Sequence, residues 1–414
     1  MAKLCGRDIE KFMNTHDVII LGGGLVGMAL GLALDKHSLT CAIVDPLPND
    51  VVTADGFDGR ASAVASASWR MFEALGIAET LRPHGNPIRR IEVRDGLQAG
   101  ALDFTVADGE EPLGIMLENR ILRRTLRAAV AKAEHISLYI PNKAATVDRG
   151  PHRVTVTLET GELLTSALLV AAEGRHSPTR TAAGISIAQW QYDHSAIISA
   201  FDHSVDHQGV AHEIFYSDGP FALLPLLSGK RSALVWTVKS KDAAGVQALS
   251  DRAFLAEVTK RTGGLLGELS PAAPRSAYPL GFHHAATITG TRLVLAGDAG
   301  HGIHPIAGQG VNLGYRDVAA LTEVLVEGAR LGLDLGDAQV LARYQRWRSL
   351  DSLSVSIATD SLNRLFGIPG PRARSVRRLG LGMVQKIAPL KAFFMAEARG
   401  SNGDLPKLLQ GDLV

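Results

Sequence analysis

The 414-residue sequence holds only two cysteines, Cys5 and Cys41. They lie too far apart for a paired metal or redox motif and suit free thiols in a reducing compartment. Neither sign of charge is in excess. With 43 Lys and Arg against 42 Asp and Glu, no global field draws the chain to nucleic acid or acidic lipid. No apolar run approaches the ~20 residues that cross a bilayer. The first sixteen residues lack the apolar stretch of a secretory signal and read as a short helix or an unordered leader, with Met13 an alternative start. His301, His304 and the pair His283-His284 have no third ligand at a metal-binding spacing, so no metal is expected. A G-x-S-x-G elbow is missing, which excludes the usual Ser-His-Asp hydrolase. A second G-x-G-x-x-G unit is missing too, and with it a separate nicotinamide domain.

Glycine is plentiful, 43 in all, which suits a large α/β protein of two or more domains with many tight turns. The glycines fall in two places that matter. Val18–Leu21 reads as a short buried strand that runs into Gly22-x-Gly24-x-x-Gly27, and a helix, Leu25–Asp35, follows. A second strand, Thr40–Val44, ends in Asp45, about 20 residues beyond the glycines, where a ribose hydroxyl needs an acceptor. This order predicts dinucleotide binding. Gly22 makes the tight turn, Gly24 admits a pyrophosphate, and Gly27 lets helix and strand pack closely.

The second place is Arg292–Asp317, RLVLAGDAGHGIHPIAGQGVNLGYRD. An apolar run ends in Gly297-Asp298, a loop rich in glycine follows, and a helical pattern begins near Val311. Strand, acid, glycine loop and helix build a ligand site. The helix points its N–H groups and positive dipole end at whatever the loop holds.

Between these stretches, Gly59-Arg60 precedes a helical run, which places Arg60 near cofactor or solvent. Ile88–Asp95 and Leu102–Thr105 look like strands of another layer. Glu118–Glu134 reads as a helix whose arginines face solvent, except Arg120 at its start. Leu168–Ala172 is a strand that ends in Glu173-Gly174. From Ile185 to Tyr278 short runs separated by Gly-Pro, Ser-Gly and Asp-Gly pairs predict an inserted antiparallel sheet. One of these runs carries Phe221, Leu223 and Pro225, which read as core or as a wall of a hydrophobic substrate pocket. A basic amphipathic stretch with Arg372, Arg374, Arg377 and Arg378 suits a solvated helix face or an anionic membrane surface.

GGGLVG with Asp45, the strand ending at Glu173-Gly174, and GDAGHGIHPIAGQGVN together resemble the group A flavin-dependent aromatic hydroxylases. The resemblance is closest to the ubiquinone-biosynthesis, UbiH-like family and covers nearly the whole chain. It implies a Rossmann-type FAD-binding domain with an inserted antiparallel-sheet substrate domain, as in p-hydroxybenzoate hydroxylase. The expected boundaries are 1–180 and 281–350 for the FAD domain, 181–280 for the substrate domain joined by strands 88–105, and a helical segment over 351–414. By the same resemblance Gly22, Gly24, Gly27, Asp45, Glu173 and Gly174 hold FAD or serve the passing NAD(P)H; Arg60 and Arg120, each near a helix start, are further cofactor-binding candidates. Asp298 bonds the ribityl chain, and Pro305, Gly308, Gln309, Gly310, Val311 and Asn312 lie against the ring. Glu173 stands where the family usually has aspartate.

The implied reaction is hydroxylation of a polyprenylated phenol through a flavin C4a-hydroperoxide, with NAD(P)H and molecular oxygen as co-substrates. Hydroxylation of a small soluble aromatic and flavin-dependent prenyl reduction remain open. No residue is singled out as a catalytic base. The implied setting is cytoplasmic, with peripheral contact of the inner membrane through 372–394 and other ubiquinone-biosynthesis proteins as partners.

Overall fold

The structure is a computed structural model and describes residues 13–302, 309–349 and 382–414. Among these residues two eight-stranded sheets organise the chain. The first has a parallel core in the spatial order Leu293–Leu295, Leu163–Ala171, Met13–Leu21, Cys41–Val44, Ile136–Tyr139. Both faces of the central strands are buried. That is why Val18–Leu21 and Leu168–Ala171 read as unbroken apolar runs and are closed to solvent. From the first strand the chain moves to Cys41–Val44 on one side, while Leu163–Ala171 lies on the other. Strand order therefore reverses at Met13–Leu21, and the crevice beyond the carboxyl ends of these strands is where such a sheet takes a ligand. Helix Leu25–Asp35 buries Gly27 through Leu34 against the sheet and the helices Asn119–Val130 and Gln309–Arg330.

The second sheet runs His301–Gly302, Leu269–Ala285, Ile187–His203, Arg231–Lys239, Gly219–Leu226, Val210–Tyr216, Arg90–Asp95, Gln98–Thr105. Its pairs are antiparallel except that Arg90–Asp95 lies parallel to Val210–Tyr216. Residues far apart in the chain thus share one layer. Two of its strands outrun the apolar patches visible in the sequence. Ile187–His203 and Leu269–Ala285 each span 17 residues. The second carries Pro271, Pro274 and Pro279, which disguise it. It tolerates them because it is an edge strand along most of its length, with only His283 and His284 paired on the far side, to His301–Gly302.

The two faces of this sheet have different neighbours. Ile197, Phe201, Ile214, Phe221, Leu223 and Trp236 face outward and pack with Phe254 and Val258 of helix Asp251–Thr262. Ser250 caps that helix, its Oγ accepting the Ala253 N–H at 3.3 Å, and left-handed Gly263 ends it. The inner face packs on a three-stranded sheet formed by Ala61–Ala65, Gly114–Glu118 and Asn86–Ile88. Phe394 and Met395 of helix Ala388–Arg399 join the same cluster. Arg372, Arg374, Arg377 and Arg378 lie outside the described residues.

Candidate active site

The first glycine motif divides its labour by position. Gly22 ends the strand at φ +108°, and a Cβ there would lie 2.3 Å from the Ala172 carbonyl oxygen. A Cβ on Gly27 would lie 1.9 Å from the Gly22 oxygen. Both places are closed to any side chain. Gly24 is open, with nothing within 4 Å of a Cβ, and no side chain caps the helix that starts there. The first N–H groups of that helix are left without a side-chain cap, the arrangement that takes a phosphate.

Asp45 holds this loop in place. Its Oδ2 accepts the Gly23 N–H at 2.6 Å and its Oδ1 the Leu47 N–H at 2.8 Å. Arg127 lies 3.5 Å from the same carboxylate. This corrects the expectation that the arginines of Asn119–Val130 face solvent. Arg127 is 7% exposed, and Arg123 and Arg124 donate to the Val52 and Thr53 carbonyls at 3.3 and 2.8 Å. The chain leaving the second strand folds back over that side of the helix, which apolar periodicity alone does not reveal. The arginines pin it beside a cavity of about 440 Å³ lined by Met28, Asn49, Thr53, Leu138 and Ile140. Arg127 Nε is buried without a partner. A buried cationic N–H lacking an acceptor, next to a cavity of this size, fits a nucleoside carrying phosphate.

Arg60 and Arg120 come together because the Asn119 N–H donates to the Arg60 carbonyl at 2.9 Å. Arg60 pairs with Asp58 at 2.9 Å, and its guanidinium lies 5.9 Å from the centre of the Tyr278 ring; Arg120 pairs with Glu118.

The later motif meets the first through Val26. A Cβ on Gly297 would come within 3.1 Å of the Val26 Cγ2, and one on Gly314 within 2.5 Å. Gly297, at φ +60°, turns the chain and presents Asp298. The Asp298 side chain is exposed, yet the protein around it removes enough solvent to push its pKa above the usual carboxylate value. It has no hydrogen-bond or ion-pair partner among the described residues. Beneath the turn lies a cluster that the sequence reading did not single out. Asp317 accepts the Gly297 N–H at 2.8 Å, His301 Nε2 at 2.7 Å and Arg348 Nε at 2.7 Å. None of the three side chains is more than 3% exposed. Burial opposes ionisation of Asp317, but the charges of His301 and Arg348 outweigh it and hold its pKa low. Burial likewise opposes protonation of His301, and Asp317 outweighs it. The available signal was an acid on the apolar face of a helix, between Leu313 and Leu321.

Glu173 accepts from Ser177 Oγ at 2.5 Å, Thr179 Oγ1 at 3.0 Å and the Thr179 N–H at 3.3 Å. Its carboxylate is thereby committed to the turn that opens Pro178–Ala182, with Gly174 open beside it at φ +81°. Arg180, another residue the motif reading passed over, is 5% exposed and donates to the Ala299 carbonyl at 2.9 Å. It stitches the middle motif to the Asp298 turn.

Asn312 spends its side chain on structure. Its Oδ1 accepts from the Ala65 N–H at 2.9 Å and Ser68 Oγ at 3.0 Å, and its Nδ2 donates to the Ala63 carbonyl at 2.8 Å. What the first turn of Gln309–Arg330 leaves for a ring is backbone, at open Gly310 and at Val311. Pro305, Gly308 and the side chain of Gln309 lie outside the described residues. Phe221 and Leu223 do not wall a pocket. Strand alternation turns them, and Pro225 with them, to the outer face, where Phe221 and Leu223 pack with Trp236 and Phe254. Ala222, Leu224 and Leu226 have the inward parity.

These features fit FAD. Gly24, Asp45 and Arg127 would hold its ADP end, and Asp298 with the first turn of Gln309–Arg330 its ring end. Asp298→Ala is expected to weaken FAD binding by roughly 10- to 100-fold, because a hydrogen bond to a charged group contributes ~1.5–3 kcal/mol. A flavin fluorescence titration with unchanged affinity would remove Asp298 from the site.

The FAD binding domain family model matches residues 15–350. Ubiquinone hydroxylase UbiL of Rhodospirillum rubrum is 39% identical over 95% of this chain and 92% of its own. The chain belongs to the UbiH-like family of ubiquinone-biosynthesis FAD hydroxylases. It is an FAD-dependent aromatic monooxygenase. The 3-demethoxyubiquinol 3-hydroxylase of Escherichia coli K12 is 33% identical to this hydroxylase over 93% of this chain and 98% of its own. In fold the hydroxylase is similar to p-nitrophenol 4-monooxygenase PnpA of Pseudomonas putida DLL-E4, with a TM-score of 0.78 over 94% of this chain and 99% of that one at 18% identity.

Proposed function

We propose that this hydroxylase adds oxygen to the ring of a polyprenylated phenol during ubiquinone biosynthesis, with NAD(P)H as reductant and molecular oxygen as the oxygen source. One observation carries the reading. The apolar inner face of the second sheet packs on Ala61–Ala65, the strand that Asn312 ties to the start of Gln309–Arg330. A hydrophobic phenol entering along that face is brought to the ring end of the dinucleotide site. The relatives named above, and the mitochondrial ubiquinone biosynthesis monooxygenase COQ6 of Homo sapiens at 29% identity, support the substrate class.

Bound FAD, reduced by the nicotinamide, supplies the activation of oxygen. The protein's part is placement and exclusion. The N–H groups of the first turn of Gln309–Arg330, at the positive end of the helix dipole, would stabilise negative charge on the ring. Ala222, Leu224 and Leu226 keep water away, which protects a reactive oxygen species from hydrolysis. Because Glu173 is held by Ser177 and Thr179, its extra methylene adjusts the middle motif without freeing a carboxylate for the nicotinamide.

A substrate of this class resides in a membrane. Met383, Ile387, Leu390 and Phe393 are exposed, with Lys386 and Lys391 in the same segment. They give it a face suited to an anionic bilayer surface. No helix among the described residues is long and apolar enough to cross a membrane. Incubation of the FAD-loaded protein with a prenylated phenol in detergent, NAD(P)H and labelled dioxygen is expected to place one oxygen-18 on the ring. Absence of label with continued NAD(P)H consumption favours prenyl reduction, and turnover confined to water-soluble phenols overturns the polyprenyl assignment.

A further inference from the structure

Glu213 is an acid in the wrong place for a structural residue. It lies on Val210–Tyr216, directly opposite Ala222 on one side and Val93 on the other. Across the sheet the same row continues through Val235 and Ile198. Residues paired in this way share one face. The row therefore reads Ile198, Val235, Ala222, Glu213, Val93, with a single polar member. The neighbouring residues His212 and Ile214 point the other way. His212 meets Glu92 at 3.2 Å, and Ile214 joins the outer core.

The face that bears Glu213 is the inner one. One step along the strands, Ala211 and Leu224 lie in the cluster that includes Ala61 and Ala63. The backbone of that segment is held by Asn312 at the ring end of the FAD site. Glu213, Val235, Ile198 and Val93 each keep part of their surface open. This row stays partly open to solvent, whereas Ala211 and Ala233 beside it are closed. The Glu213 carboxylate has no hydrogen bond or ion pair among the described residues. An unpartnered carboxyl on an apolar wall is costly to keep, and a ligand hydroxyl would satisfy it.

We propose that Glu213 receives the hydroxyl group of the phenol and acts as its general base. The inference rests on the functional reading above and assigns the proton in that reaction. The phenol O–H bond breaks, its proton forms an O–H bond on the Glu213 carboxylate, and the electron pair stays on the phenolic oxygen. Delocalised to the ortho and para carbons, that pair makes the ring the nucleophile that aromatic hydroxylation requires. No electrons are exchanged with any other group in this step.

The setting of the carboxyl matches the task. Titratable groups on the elements packed against this face are Asp95 on the flanking strand, Tyr278, Arg60 and Asp58 before Ala61–Ala65, Glu118 on Gly114–Glu118, and Lys386, Lys391, Glu397 and Arg399 of the C-terminal segment. None of them sets the Glu213 value. Burial alone pushes it to about 7. The group is then half ionised near neutral pH, where a base is most effective.

The test uses the FAD-loaded full chain with 2-geranylphenol in detergent. In the wild type, kcat for hydroxylation is expected to rise with pH through a midpoint near 7. Glu213→Gln keeps the shape of the side chain and removes the base. It should lower kcat by about 100-fold, abolish the rise, leave KM and FAD content nearly unchanged, and divert NAD(P)H oxidation to hydrogen peroxide. Glu213→Asp should restore part of the rate together with the rise. Independently of turnover, a protonated-carboxyl C=O infrared band should titrate near pH 7 and be missing in Glu213→Gln. An active wild type whose Glu213→Gln variant keeps both the rate and the pH profile overturns this assignment alone. A wild type that holds FAD yet turns over no phenol overturns the functional reading and this one with it.

Discussion

Gly27→Ala is expected to purify without flavin. The added Cβ would sit 1.9 Å from the Gly22 carbonyl oxygen, a backbone atom and not the flexible end of a side chain. Gly22 has no room to retreat, since it approaches the Ala172 carbonyl as closely as its missing Cβ permits. The helix must then lift away from the loop. That movement opposes the Met28 N–H to Gly24 carbonyl bond of 3.0 Å, which forms the first turn. It also displaces Val26 from between Gly297 and Gly314, so the damage reaches the Asp298 turn. FAD affinity should fall by at least roughly 100-fold, about 2.8 kcal/mol of binding free energy. Overpacking should also lower the stability of the apoprotein by about 1–3 kcal/mol. Gly24→Ala separates the two effects, because its Cβ meets nothing within 4 Å. It should leave the apoprotein's melting point alone and still weaken FAD by crowding the phosphate. Wild-type flavin affinity in Gly27→Ala would falsify this account of the loop.

The parts of the site legible in the sequence are those in which backbone geometry leaves one choice of residue. Gly22 and Gly27 are examples, since contacts near 2 Å admit nothing but glycine and the spacing is visible in any such chain. The parallel strands are another, because burial on both faces demands unbroken apolar runs. What stayed hidden depends on partners distant in the chain. Arg127 looks like a surface residue of an amphipathic helix until the segment after Asp45 folds over it. Phe221 and Leu223 were the more conspicuous side chains of their strand, yet a strand has two faces and hydrophobicity does not say which one meets the substrate. The larger residues went to the outer core, and the small Ala222 has the opposite parity. Glu213 was passed over for the same reason, since its meaning comes from neighbours on Arg90–Asp95 and Gly219–Leu226. Leu269–Ala285 was concealed by prolines that only an edge strand accepts.

Asp317→Asn is expected to cost about 3–5 kcal/mol of stability, the usual penalty for removing one partner of a buried ion cluster. The substitution leaves the Arg348 guanidinium facing a neutral amide and takes the counter-charge from His301. It also weakens the acceptor of the Gly297 N–H, so the turn that presents Asp298 loosens and FAD retention falls with stability. The dependence on pH has a definite sign. His301 is raised above its ordinary 6.5, so its contribution is complete below pH 6.5 and is lost as pH rises through the raised value. Asp317 is lowered below 3.8, so its contribution is complete above that value and is lost only in stronger acid. His283 works on the acid side. Burial, chiefly, lowers it to about 4, and its contribution is complete above pH 6.5 and is lost between 6.5 and about 4. The wild-type protein should therefore lose stability from these groups on both sides of pH 6.5. In Asp317→Asn the alkaline limb should largely vanish, because His301 then loses the acid that chiefly holds its proton and keeps only the weaker field of Asp298, while the acid limb due to His283 persists. Urea midpoints between pH 5 and 9 decide the matter. An alkaline limb of unchanged slope in the variant would show that His301 is neutral in the native protein and that the Gly297 turn is held by Arg348 and Asp317 alone.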